Sequence, residues 1–147
     1  MAGSKRYCDL LAQTTLGADH TVLTNNRFAV AQTPGGSGAL RVLAEFINVA
    51  KPGATVWAGN PTWANHSPIM QSAGLEIKQY PYYDKDTKVV DFDGMLATLK
   101  AETKAGDVVL LHACCHNPSG ADLSLEQWQA TAGLIKVKGL LPYVDIA

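Results

Sequence analysis

Three short apolar runs, separated by segments too long for a hairpin, constrain this 147-residue chain more than any other feature. They are "TVWAGNP" (55–61), "DVVLLHACC" (107–115) and "LLPYVDIA" (140–147), each of strand length and flanked by Gly or Pro punctuation. Antiparallel neighbours can be joined by a two-residue turn, whereas parallel strands need a crossover of a dozen residues or more, usually a helix. The repeated order strand, helix, strand predicts an α/β fold. Its core is a three-layer, mainly parallel sheet with helices on both faces.

The connecting segments read as helices. Residues 35–50, "GGSGALRVLAEFINVA", open on glycines and continue with Leu40, Val42, Leu43, Phe46, Ile47 and Val49 at helical spacing. "WANHSPIMQSAG" (63–74) is a helix with Pro68 in its first turns and Gly74 as its cap. Residues 91–104 and 4–16 also carry helical periodicity. Ser124 followed by Gln127 is a capping-box start for a helix over 123–139, closed by Gly139. "RFAVAQTP" (27–34) and "LEIKQYPYY" (75–83) read as further strands, and 84–92 as a loop with some extended character. The last apolar run reaches residue 147, and a core strand needs cover on both faces and along its edge. The expectation is therefore an interrupted domain, not a finished one.

Composition narrows the classes. A net charge of −1 without a basic tract speaks against nucleic acid as a partner. No apolar run approaches the roughly 20 residues of a membrane span, and the first residues lack a signal-peptide pattern. Three cysteines, an odd number, fit a reducing compartment, so a cytoplasmic location is expected.

The run "HACCHNPSG" (112–120) invites a metal or redox reading. Zinc ligands need a turn between them to converge on one ion. In a strand, adjacent Cys114 and Cys115 would point to opposite faces, and a disulfide between them would need a strained ring. They are expected to be buried thiols acting as small apolar residues, with no metal.

Ligands of open parallel sheets gather at the carboxyl ends of the strands. Four features sit at such ends. "TPGGSGALR" (33–41) combines close backbone approach at Gly35 and Gly36, the Ser37 hydroxyl and the N–H groups of a helix start, which suits a phosphate. It equally suits a turn that only starts a helix, and it is neither a P-loop nor a G-x-G-x-x-G run. In "NPTWANH" (60–66), Trp63 can stack on a flat ring, with His66 three residues on, or it can be a core residue. Asn117, in a turn set by Pro118 and Gly120, offers both a donor and an acceptor. Asp145, among apolar neighbours, calls for a buried cation or a protonated ring nitrogen as partner, unless its strand end faces solvent.

Taken together, "QTPGGSGALR", "NPTWANH", "YYD", "LLHACCHNPSGADLSLEQW" and "LPYVDIA" resemble, in order and spacing, the large domain of fold-type I, class I aminotransferases of the aspartate and aromatic amino acid group. The resemblance runs from about Gln32 to Ala147. It implies pyridoxal 5′-phosphate as cofactor, amino acid and 2-oxo acid substrates, and a homodimer. It places Gly35, Gly36 and Ser37 at the cofactor phosphate, Trp63 on the pyridine ring and Asn117 at the ring hydroxyl and substrate carboxylate. Asp145 falls at the pyridinium nitrogen, and His66 and His112 stand behind that aspartate. Trp63 and Asp145 would thus serve catalysis.

The family's Schiff-base lysine, its substrate-binding arginines and its small domain have no counterpart in residues 1–147. The chain is therefore expected to be part of the large domain and inactive alone. A different class of reading is a non-catalytic cofactor-binding or oligomerisation remnant acting with a partner chain. An unrelated α/β phosphate binder would need all four motifs to coincide by accident.

Overall fold

The computed structural model describes residues 3–146. In chain order its elements are α1 (Lys5–Leu16), α2 (Thr21–Thr24), α3 (Gly35–Ala50), β1 (Thr55–Asn60), α4 (His66–Ser72), β2 (Glu76–Pro81), β3 (Tyr83–Asp84), β4 (Val89–Val90), α5 (Phe92–Glu102), β5 (Val108–His112), α6 (Leu125–Lys138) and β6 (Leu141–Asp145). They divide between two compact units, Met1–Ala39 and Leu40–Ala147.

In the first unit, Ser4 caps α1 by accepting the Tyr7 N–H, and Gly17 at φ 88° ends it. The strand expected over 27–34 is absent: these residues join no sheet ladder. A short apolar run makes a strand only where a neighbour takes up the backbone N–H and C=O groups, and Phe28 is exposed.

The second unit is built on a four-stranded sheet in the order β2-β1-β5-β6, parallel throughout. A parallel crossover is almost always right-handed, so a step in one direction along the sheet places its helix on one face and a step in the other direction on the opposite face. The chain steps from β1 to β2 through α4, then returns past β1 to β5 through α5, and on to β6 through α6. Helices on both faces follow, as the sequence predicts. One core packs Leu40, Ala44 and Ile47 of α3 and Met70 of α4 on Val56, Ala58, Val108, Leu110 and Tyr143. The other packs Met95 and Leu99 of α5 and Ile135 of α6 on Trp57, Tyr80, Val109 and Leu111. Period-two alternation along β1 and β5 sorts these residues between the faces. On α3 only part of the apolar set is used, because Val42, Leu43, Phe46 and Val49 lie exposed.

Asp107, 2 % exposed, ties the amino ends of β1 and β5. Its carboxylate accepts from Thr55 N (3.2 Å), Trp57 Nε1 (3.2 Å) and Lys104 N (3.1 Å). The capping box forms as read, Ser124 and Gln127 bonding each other's backbone N–H, and Gly139 closes α6 at φ 66°.

Four expectations differ from the structure. The helix of 63–74 begins only at His66, leaving Trp63 in the preceding turn, and the run 75–83 breaks into β2 and the first strand of a β3–β4 hairpin. The strand of 107–115 ends at His112, and Cys114 and Cys115 are exposed, not buried. The ladder stops because the N–H groups of Cys115 and His116 turn to the Asp122 carboxylate instead, at 2.9 and 2.8 Å, with Cys115 at φ 54°.

Candidate functional site

Strand order reverses direction between β1 and β5, which makes their carboxyl ends the switch point where parallel sheets bind ligands. The buried His66 and the part-buried His112 and Asp145 collect there. β5 and β6 run in register with His112 opposite Asp145. The turn after β1 brings Thr62 and Trp63, and the first turn of α4 brings His66, which is fully buried.

A directional hydrogen-bond chain links them. The Asn117 N–H lies 3.4 Å from His112 Nδ1. His112 Nε2 lies 3.2 Å from Thr62 Oγ1, which lies 2.8 Å from His66 Nδ1. His66 Nε2 lies 3.0 Å from Asp145 Oδ2. The two ends fix the polarity, since a backbone N–H only donates and a carboxylate only accepts. Each histidine therefore accepts at Nδ1 and donates from Nε2, and the Thr62 hydroxyl accepts from His112 while donating to His66. Both imidazoles are neutral in this scheme. Burial, the largest influence on each, holds both below the ordinary histidine range, although the Asp145 carboxylate pulls the other way.

Asp145 is thus positioned by a neutral donor. Its side chain is 22 % exposed, and among the described residues its Oδ2 is the carboxylate oxygen that takes a hydrogen bond. Trp63 packs edge-on against His66, with centroids 5.4 Å apart. The Asn117 side chain is exposed, and its backbone is held by His112. Gly35, Gly36 and Ser37 open α3 in the first unit, all exposed. A Cβ at Gly35 or Gly36 would meet nothing within 4 Å, so the start of the helix is bordered by open space.

A second cluster escaped the sequence reading. His116, 3 % exposed, stacks on Tyr82 at 4.0 Å. Its Nδ1 lies 2.7 Å from Ser119 Oγ, and the Tyr82 hydroxyl donates to Ala121 O at 2.8 Å. Burial lowers His116 to about 4 and raises Tyr82 to about 12. These contacts, with Asp122 on the Cys115 and His116 N–H groups, brace the turn that carries Asn117. Thr62 was missed too: it lies in the turn before α4, so no helical spacing pointed to it. Lys78, on β2, sits over Trp57, on the opposite face of the sheet from Asp145, and Lys51 and Lys104 border the amino ends of β1 and β5.

The fold and this centre define an α/β protein with a carboxylate–histidine cluster at the carboxyl ends of a parallel sheet. The family model described as aminotransferase class I and II matches residues 1–147. The chain belongs to that family, and its α/β fold is that of fold-type I aminotransferases, in the aspartate and aromatic amino acid group. It is 48 % identical to an aromatic-amino-acid aminotransferase of Escherichia coli over all 147 residues, covering 37 % of that protein. It is 48 % identical over 131 residues to the aspartate aminotransferase of the same organism, covering 89 % of this chain and 33 % of that one. A crystal structure of an aromatic-amino-acid aminotransferase from Burkholderia pseudomallei, covalently bound to pyridoxal phosphate, superposes with a TM-score of 0.97 at 41 % identity, covering 99 % of this chain and 36 % of that one. The chain thus spans about a third of the length of its relatives. Among the described residues no helix is long and apolar enough to cross a membrane.

Proposed function

We propose that this chain is part of the large, cofactor-binding domain of a cytoplasmic, homodimeric pyridoxal-phosphate aminotransferase. The enzyme moves the amino group of aspartate or an aromatic amino acid to a 2-oxo acid such as 2-oxoglutarate. The observation that carries the reading is Asp145: a part-exposed carboxylate at the carboxyl end of the edge strand β6, oriented by a neutral, fully buried histidine.

That donor set fits pyridoxal phosphate. Asp145 would face the ring nitrogen, Trp63 the ring, and Asn117 the ring hydroxyl and substrate carboxylate. Gly35, Gly36 and Ser37 would hold the phosphate on the N–H groups that a helix start leaves unpaired. When bound, the cofactor supplies an electron sink for the carbon that loses its proton. The chain's own contribution is electrostatic and positional. Asp145 keeps a proton on the ring nitrogen. His66, Thr62 and His112 fix the carboxylate's direction without a competing positive charge. Residues 1–147 alone are expected to bind cofactor weakly and not to turn over, since none of their lysines is proposed as the Schiff-base group.

The test is a chimera in which this chain replaces the matching third of the E. coli aromatic-amino-acid aminotransferase. The expected result is transamination of aspartate or an aromatic amino acid with 2-oxoglutarate, lost in Asp145→Ala. A chimera that folds and binds pyridoxal phosphate without turnover contradicts the catalytic reading. It favours a remnant that holds cofactor or partner only.

A further inference from the structure

Cys114 and Cys115 have no place in the centre described above. Both are exposed, and neither is in a disulfide. In a strand their side chains would diverge, but the ladder ends at His112 and the chain bends over 113–115. Cys115 takes a left-handed backbone, and its N–H is anchored to Asp122 Oδ2 at 2.9 Å. The two thiols thus follow one another on an exposed bend instead of a strand. Two exposed sulfurs on adjacent residues, on a bend held by the Asp122 carboxylate, form a vicinal dithiol open to solvent. Among the described residues there is no group of three or more His, Cys, Asp or Glu able to hold a metal ion. The pair therefore suits an atom that is satisfied by two sulfurs.

We propose that Cys114 and Cys115 form a bidentate site for soft thiophilic ligands of the trivalent organoarsenical class. In the step, an arsenical carrying two hydroxyls forms two As–S bonds. Its two As–O bonds break, and the thiol protons leave with the hydroxyls as two waters. No oxidant or reductant is needed. The arsenic closes a ring one atom larger than a direct disulfide between adjacent cysteines would, so the peptide between them is less constrained. The second sulfur binds as an intramolecular partner of the first, which strengthens the complex by roughly 10²–10⁴-fold over a single thiol.

The experiment titrates the purified chain with phenylarsine oxide and follows intact mass and free thiols. The expected result is one phenylarsenic group per chain, with two thiols consumed. It should be reversed by 2,3-dimercaptopropanol but not by 2-mercaptoethanol at equal thiol concentration. Cys8→Ser should bind as the wild type does, because Cys8 is buried in α1. Cys114→Ser and Cys115→Ser should each bind roughly 10²–10⁴-fold more weakly. As a check that needs no variant, the arsenical should protect Cys114 and Cys115 of the native chain from iodoacetamide, as read by peptide mapping. Loss of binding in Cys8→Ser, undiminished binding in either of the other two variants, or labelling of both thiols despite the arsenical would each overturn the proposal.

Discussion

His66 Nε2 donates to Asp145 Oδ2 at 3.0 Å across 79 residues of sequence, joining the first turn of α4 to the end of β6. The imidazole is fully buried and held neutral by that burial, so it orients the carboxylate without cancelling its charge. A protonated histidine here would compete with any cationic ligand for Asp145.

The neutral relay depends on the Thr62 hydroxyl, which serves both histidines. Thr62→Val keeps the shape and removes the bridge, leaving His66 Nδ1 without its donor. The expected cost is about 1–3 kcal/mol of stability. In the wild type, nitrogen-detected NMR should show His66 and His112 both protonated at Nε2 only. A proton resident on either Nδ1 at neutral pH contradicts the polarity deduced above.

Asp107 is a structural counterpart at the other end of the sheet. Its buried carboxylate takes three donors from three positions. Asp107→Ala strands the Thr55 and Lys104 N–H groups and the Trp57 indole. Denaturant unfolding should show a loss of about 3 kcal/mol or more. A loss under 1 kcal/mol would mean that water replaces the carboxylate readily.

Acid should unfold the protein early. His116 is lowered to about 4, and His66 and His112 are lowered as well, chiefly by burial. Between about 4 and the ordinary value near 6.5, the unfolded chain binds more protons than the folded one. Stability therefore falls as pH drops through that window. Asp122, held below its ordinary value by the His116 and Cys115 N–H groups, adds a loss of the same sign at lower pH. His116→Phe, which retains a ring against Tyr82, should flatten the dependence between pH 4 and 6.5. An unchanged slope in that variant assigns the effect elsewhere.

Much of this was legible in the sequence, and the rest was hidden for physical reasons. The parallel order of β1, β5 and β6 follows from connection length, and the ends of α6 from the Ser124–Gln127 box and Gly139. His66, His112 and Asp145 lie together, linked through Thr62. The apolar run within 27–34 misled because no neighbouring strand is there to pair with it. The exposure of Cys114 and Cys115 was hidden because the ladder ends on a side-chain acceptor, Asp122, seven residues beyond Cys115. Thr62, Tyr82 and His116 gain their roles from contacts across elements, which no local pattern encodes.

The central claim is that Asp145 is the partner of the ring nitrogen of pyridoxal phosphate. Its most direct test is a calorimetric titration of the purified chain and Asp145→Asn with pyridoxal phosphate, repeated with an analogue whose ring nitrogen is replaced by carbon. The asparagine keeps an acceptor for His66 and loses the charge. The account predicts binding about 10- to 100-fold weaker in the variant, the worth of a hydrogen bond to a charged group, and no difference between the two proteins toward the analogue. Equal affinity of both folded proteins for pyridoxal phosphate, or no binding by the wild-type chain, would contradict it.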